Sequence, residues 1–414
     1  IRFGDYYSDV FNFLGGLTAN ASSAITIKAS DINSTASAQS LNAPLTFETS
    51  TTLSPGIGRI TLGATTVNPG ATITLGAGAA TPMTLSSISG VATGSPGNPS
   101  GQKSNVTINT ADAVTISGAI ATNIGSFTIT NSNGTTFNGA LGSSSDRITS
   151  LAITSSSGTI LFANNLYAGA MSNAGGTAEI KFYGSVTNIT SAATLSTTGA
   201  VYYGDSTSDQ LTFTRGITHN TGNNILMGSF TLDSGTINSC TSGSTCAFNL
   251  GGTTTFLSSS SVFDFGASSI TLNNVLLGEG VTLYLGGGSS GSITVASVTG
   301  TAGGLASNIV INTTGAVNIS GTVGTNIGTI TVTNSGGATF GGSVAASTIA
   351  LTNTTGTIAF NGVVNVASLT TAANAYNVAI NSANSVITNA ITFSNTGTVS
   401  LGSASGAQTY AGGI

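Results

Sequence analysis

Charge is what this sequence has least of. Lys and Arg together number 7 and Asp and Glu 12 in 414 residues, so charged side chains make up 5% of the chain, against about a quarter in ordinary soluble domains. Seven basic residues without a cluster cannot neutralise a run of phosphates, which argues against nucleic acid as a partner. The single histidine, His219, has no acid within three residues on either side, so neither a catalytic triad nor a metal site is expected around it. Every apolar run is broken by Gly, Ser, Thr or Asn within a few positions, and no transmembrane segment is expected. Calcium-binding repeats of the Gly-Gly-x-Gly-x-Asp type are missing, and no cofactor is implied. The two cysteines, Cys240 and Cys246, stand close enough to read as a local disulfide, which implies an oxidising compartment. Two free thiols are the alternative; zinc would need more ligands.

What the chain does have is 57 Gly, 39% hydrophobic residues and a background of Ser, Thr, Ala, Asn, Val and Ile. A disordered chain combines low hydrophobicity with high charge, and this one can bury a core rich in strand-favouring β-branched side chains. The segment 105–141 aligns without a gap on 308–344, sharing 21 of 37 positions. After a five-residue insertion the match resumes, Ser150–Phe162 answering Thr348–Phe360. A shorter period lies inside this block: Ile319, Phe340 and Phe360 recur about every 20 residues, and Gly321, Gly342 and Gly362 follow each of them two places on.

Within a unit, short alternating strands put Ile, Val, Leu and Phe on one face and Thr, Ser and Asn on the other. One such unit cannot bury its apolar face alone, whereas stacked copies can. The expected fold is therefore all-β, a right-handed parallel β-helix (β-solenoid) of about 20 residues per coil, with roughly twenty coils in the chain. Like residues should form ladders: Ile319, Phe340 and Phe360 inside, and asparagines such as Asn334 and Asn353 at corners, where Asn tolerates left-handed geometry. Three stretches are expected: 1–16, 17–104 with irregular coils, and 105–414 as the regular solenoid containing the duplication of 105–166 by 308–364.

Few residues could carry chemistry. Asp205 and Asp209 with Arg215 and His219 are the candidate for a polysaccharide-cleaving site of paired carboxylates, and a solvated corner is the plainer reading. Asp146 and Arg147 lie in the insertion, where a solenoid puts its loops. Glu179 and Lys181 read as a local ion pair worth little. Residues 1–16 carry Phe3, Tyr6, Tyr7, Phe11 and Phe13, a cluster that reads either as a cap over the first coil or as a segment docking on a neighbouring chain. Beyond Glu279 there is no Asp, Glu, Lys, Arg or His to Ile414. Such a surface lacks electrostatic protection against association, which points to copies of the chain itself as partners.

Repeats such as Thr352-Asn-Thr-Thr-Gly-Thr-Ile-Ala-Phe-Asn-Gly-Val-Val-Asn-Val and the closing Gly-Ala-Gln-Thr-Tyr-Ala-Gly-Gly-Ile resemble those of filamentous-haemagglutinin-type exoproteins and related giant bacterial surface proteins. The resemblance covers most of 105–414 and implies export, a right-handed parallel β-helix, and a role in adhesion, biofilm or surface fibres, with host or surface glycans as possible ligands. The expected function is thus a non-enzymatic extracellular structural protein forming a cell-surface fibre, sheath or filament. A stand-alone secreted adhesin is the alternative, and a polysaccharide-cleaving β-helix enzyme ranks third.

Overall fold

The computed structural model describes residues 1–20, 23–219, 221–227, 229–231, 247–259, 269–402 and 406–414. Cys240 and Cys246 lie outside the described residues. The chain is all-β with parallel sheets stacked as a β-solenoid of about 17 turns and roughly 22 residues per turn, with no helix among the described residues. It divides into two compact units, Ile1–Asp209 and Gln210–Ile414.

The construction of a turn is plainest in the first unit. In Ile25–Ile27 the two isoleucines are fully buried and Thr26 faces outward. This strand lies parallel to Leu45–Phe47, which lies parallel to Thr65–Val67. A second sheet stacks Val10–Phe13, Asp31–Ser34 and Thr51–Ser54. A third stacks Leu17–Ala19, Gln39–Leu41, Ile60–Leu62, Met83–Leu85 and Val114–Ile116. Each of these strands hydrogen-bonds to the turns before and after it, so the strand backbone of an inner turn is paired along both edges. Alternation sends one side chain in two to the interior.

Like residues meet because the turns are in register. Phe137 stacks on Phe162 with ring centroids 5.0 Å apart, and Phe162 on Phe182 at 5.4 Å. Tyr203 continues this column at 5.9 Å from Phe182. In the second unit Ile319 lies beside Phe340, and Phe340 stacks on Phe360 at 4.9 Å. All of these side chains are buried.

The mean turn exceeds 20 residues because some turns carry loops. Ile73 pairs with Val106, 33 residues on, where neighbouring turns step by about 20. The extra chain includes Pro96 and Pro99 and is organised by the buried Asn98. Its Nδ2 donates to the carbonyls of Val91 (2.9 Å) and Gln102 (2.8 Å), and its Oδ1 accepts the Gln102 N–H at 2.9 Å.

Asparagine corners differ from expectation. Of the seven Thr-Asn pairs in the sequence (122–123, 130–131, 187–188, 325–326, 333–334, 352–353 and 388–389), only Asn123 and Asn326 adopt positive φ, at 61° and 55°, and the preceding Thr122 and Thr325 do so as well. Asn131 and Asn334 are instead the last residues of the strands Ile124–Asn131 and Ile327–Asn334, where ladder pairing holds them extended. Asn334 pairs across the sheet with Asn312, and Asn353 is exposed, its N–H donating to the Thr333 carbonyl at 2.8 Å. Amide-to-amide ladders do form elsewhere. Asn33 donates to Asn12 at 3.1 Å, and Asn381 to Asn361 at 2.8 Å.

Candidate functional site: two acidic turns, an ion-pair loop and a neutral groove

Asp205 and Asp209 belong to a tight turn. The Asp209 carboxylate, 4% exposed, accepts the backbone N–H groups of Asp205 (2.9 Å) and Ser206 (3.0 Å) through Oδ2. Burial, followed by the hydrogen bond to Asp209, pushes the Asp205 carboxyl above the usual carboxylate range. The plainer sequence reading was a solvated corner; Asp209 proves instead to be a buried turn cap.

An identical turn stands 200 residues earlier. Asp9 Oδ2 accepts the N–H groups of Asp5 (3.0 Å) and Tyr6 (3.1 Å), and those bonds hold its carboxyl below the ordinary value. Both turns are written Gly-Asp-x-x-Ser-Asp, and their glycines, Gly4 and Gly204, share φ of 80° and 82°. Gly16 and Gly216 follow at 86° and 88°. The duplication seen at 105–166 and 308–364 therefore reaches back to the head of each copy.

His219 is fully buried in the second unit. Its Nε2 accepts the Gly222 N–H at 3.3 Å, which leaves the ring proton on Nδ1, 2.8 Å from Asn224 Oδ1. Held at both nitrogens, the buried ring acts as a structural cross-brace. Arg215 is exposed on the turn before the strand Gly216–His219.

The insertion carries a denser cluster. Lys103 Nζ lies 3.0 Å from Asp146 Oδ1 and donates to the Arg147 carbonyl at 2.8 Å. Asp146 Oδ2 accepts the Asn123 N–H at 2.6 Å, capping the left-handed corner. Arg147 lies over the Tyr167 ring, 5.6 Å from its centroid, and donates to Asn188 Oδ1 at 3.0 Å. Glu179 and Lys181 pair at 2.9 Å, and Lys181 sits 4.8 Å from the Tyr202 ring centre. The bond to Glu179 raises the Lys181 pKa. Both pairs are substantially exposed, so each contributes under about 1 kcal/mol.

The five amino-terminal aromatics divide into two sets. Phe3, Phe11 and Phe13 cluster with centroids 6.0–6.3 Å apart. Tyr6 and Tyr7, on the Asp9-capped turn, are 65% and 72% exposed.

The second unit has a groove of about 490 Å³, lined by residues that include Ala306, Asn326, Ala345, Ala346, Asn365 and Ala367. Its walls are methyl groups, amides and hydroxyls without a charge. Among the described residues, no three His, Cys, Asp or Glu side chains gather as a metal site would need. The sequence reading missed the groove and the paired turns. The repeated Gly-Asp-x-x-Ser-Asp could have revealed the turns, whereas the groove shows only when the two copies are compared in three dimensions. No protein-family model, curated protein or solved structure matches the chain.

Proposed function

We propose that this chain is a non-enzymatic, extracellular structural protein that associates with copies of itself into a cell-surface fibre, sheath or filament, with adhesion as an accompanying role. The observation that carries this reading is the surface of the described residues between 280 and 414, which presents stacked turns of Thr, Ser, Asn and Ala, in a stretch with no ionisable side chain apart from tyrosine. Like charges ordinarily keep exposed sheet surfaces apart, and here that repulsion is missing. The charged side chains elsewhere support the same reading, since Asp9, Asp146 and Asp209 cap local backbone. The resemblance to filamentous-haemagglutinin-type repeats favours a secreted adhesin as the second reading.

Sedimentation velocity of the full chain over a concentration series, with negative-stain microscopy of the heaviest fraction, tests the proposal. Oligomers that grow with concentration are expected; monomers throughout would reject it. An oxidised Cys240–Cys246 pair belongs to the same proposal. Alkylation without reductant should leave the mass of the natively isolated chain unchanged, and two added alkyl groups would count against an oxidising compartment.

A further inference from the structure

The groove of the second unit is the emptied counterpart of a filled site in the first. Val344, Ala345 and Ala346 run straight along one strand, pairing with Val364, Asn365 and Val366. Their equivalents Leu141 and Ile148 face Leu166 and Ala168, but are separated by Gly142–Arg147. In the first copy that loop covers the surface, anchored by Lys103, Asn123 and Tyr167. In the second, Ala306 stands where Lys103 does, Asn365 where Tyr167 does, and Ala345 alone where the six-residue loop does. Every large or charged group is gone together, while the corner persists. Asn326 keeps the left-handed φ of 55°, and its side chain still ties down the preceding loop through the carbonyls of Thr301 and Gly304 at 2.8 and 2.9 Å. Among the described residues its backbone N–H, capped by Asp146 Oδ2 in the other copy, meets no acceptor.

A neutral groove with methyl walls and one free donor favours an uncharged occupant with an apolar body and a polar tip. Tyrosine has that form: a ring for alanine methyls and a phenol oxygen that accepts an N–H. The chain displays two such groups side by side, and Tyr6 and Tyr7 are its most exposed aromatics among the described residues. They project from a turn that Asp9 holds rigid, so little conformational entropy is lost when they dock. We infer that the groove beside Asn326 and Ala345 receives the Tyr6–Tyr7 turn of a second copy of this chain. The inference rests on the self-association proposed above and names the contact that produces it.

The experiment is sedimentation of full-length chains in three forms: native, Tyr6→Ser with Tyr7→Ser, and a graft in which Ala345 is replaced by Gly-Ser-Ser-Ser-Asp-Arg together with Ala306→Lys and Asn365→Tyr. The graft refills the groove with a loop that the first copy already accommodates. Either change should raise the concentration for half-association about ten-fold or more, as loss of an aromatic anchor does. A photo-reactive phenylalanine at position 7 should cross-link to peptides spanning 306–347 of the partner. Native chains that associate equally well in all three forms, or cross-links elsewhere, would overturn the groove assignment and leave self-association standing. Native chains that stay monomeric would remove both. Release of the partner by neutral oligosaccharide, with amide shifts at Asn326 in the graft-free chain alone, would assign the groove to a glycan and overturn the tyrosine assignment.

Discussion

Gly342 has an ordinary φ, yet it admits no side chain. A Cβ there would lie 2.3 Å from the backbone carbon of Gly321, and one on Gly362 would lie 2.2 Å from that of Gly342. The glycine column visible in the sequence at 321, 342 and 362 thus marks where successive turns touch backbone to backbone. Gly342→Ala should destabilise by at least about 1–3 kcal/mol, because main chain rather than a flexible side chain must yield. Gly324→Ala is the control: its Cβ would meet nothing nearer than 3.5 Å, so its denaturation midpoint should stay close to that of the native chain. The acidic turns allow a pH prediction. Asp9 is stabilised as a carboxylate, so its contribution is complete above the unfolded value of about 3.9 and disappears as pH falls through the lower folded value. Asp205 is shifted the opposite way. Site-resolved carboxyl NMR should find Asp9 titrating below, and Asp205 above, the ordinary aspartate range. Asp209→Ala should cost about 1–2 kcal/mol by leaving two turn donors uncapped, whereas Asp209→Asn, which keeps an acceptor, should cost less in the same thermal melt.

At the level of elements, the Gly142–Arg147 loop separates charge pairing from capping. Lys103→Met removes an ion pair whose partners are each 32% exposed and should cost no more than about 1 kcal/mol. Asp146→Ala removes that pair and also uncovers the Asn123 N–H, so its loss in chemical denaturation should be the larger. An equal loss would mean that the cap contributes nothing. Strand alternation and the repeated Phe were legible in the sequence because interior position follows directly from a period of two and a fixed turn length. The corners were harder to read. Asn131 and Asn123 each follow a Thr, but only Asn123 turns left-handed, since Asn131 still pairs with Asn109 of the preceding turn as the last residue of its strand. Local composition carries no record of which neighbouring turn supplies hydrogen bonds. The Asp205–Asp209 turn shows a similar limit: spacing suggested paired carboxylates, while the hydrogen bonds of Asp209 point inward to backbone.

For the whole molecule, an association surface without charge has a specific signature. Contacts built from the 280–414 region should persist between low and high salt, because there are no ion pairs for salt to screen. Half-association measured at roughly 0.05 M and 0.5 M sodium chloride should agree, and marked dissociation at the higher salt would place the contact on the charged, amino-terminal side instead. The duplication was partly legible, from 105 onward, where 21 of 37 residues survive unchanged. Its earlier part was obscured by insertions of unequal length and became evident through the matching φ of Gly4 with Gly204 and of Gly16 with Gly216.

Within each unit, most strands find their partner about one turn along the chain, as Ile25 does with Leu45 and Ile349 with Leu369. Loop closure therefore costs nearly the same modest entropy at most steps, and no distant segment has to be found first. Folding can advance turn upon turn from any nucleus. A zipper of this kind stops where one tooth is too thick. Gly342→Ala should thus do more than lower stability: it should split refolding into a fast phase on one side of residue 342 and a delayed phase on the other.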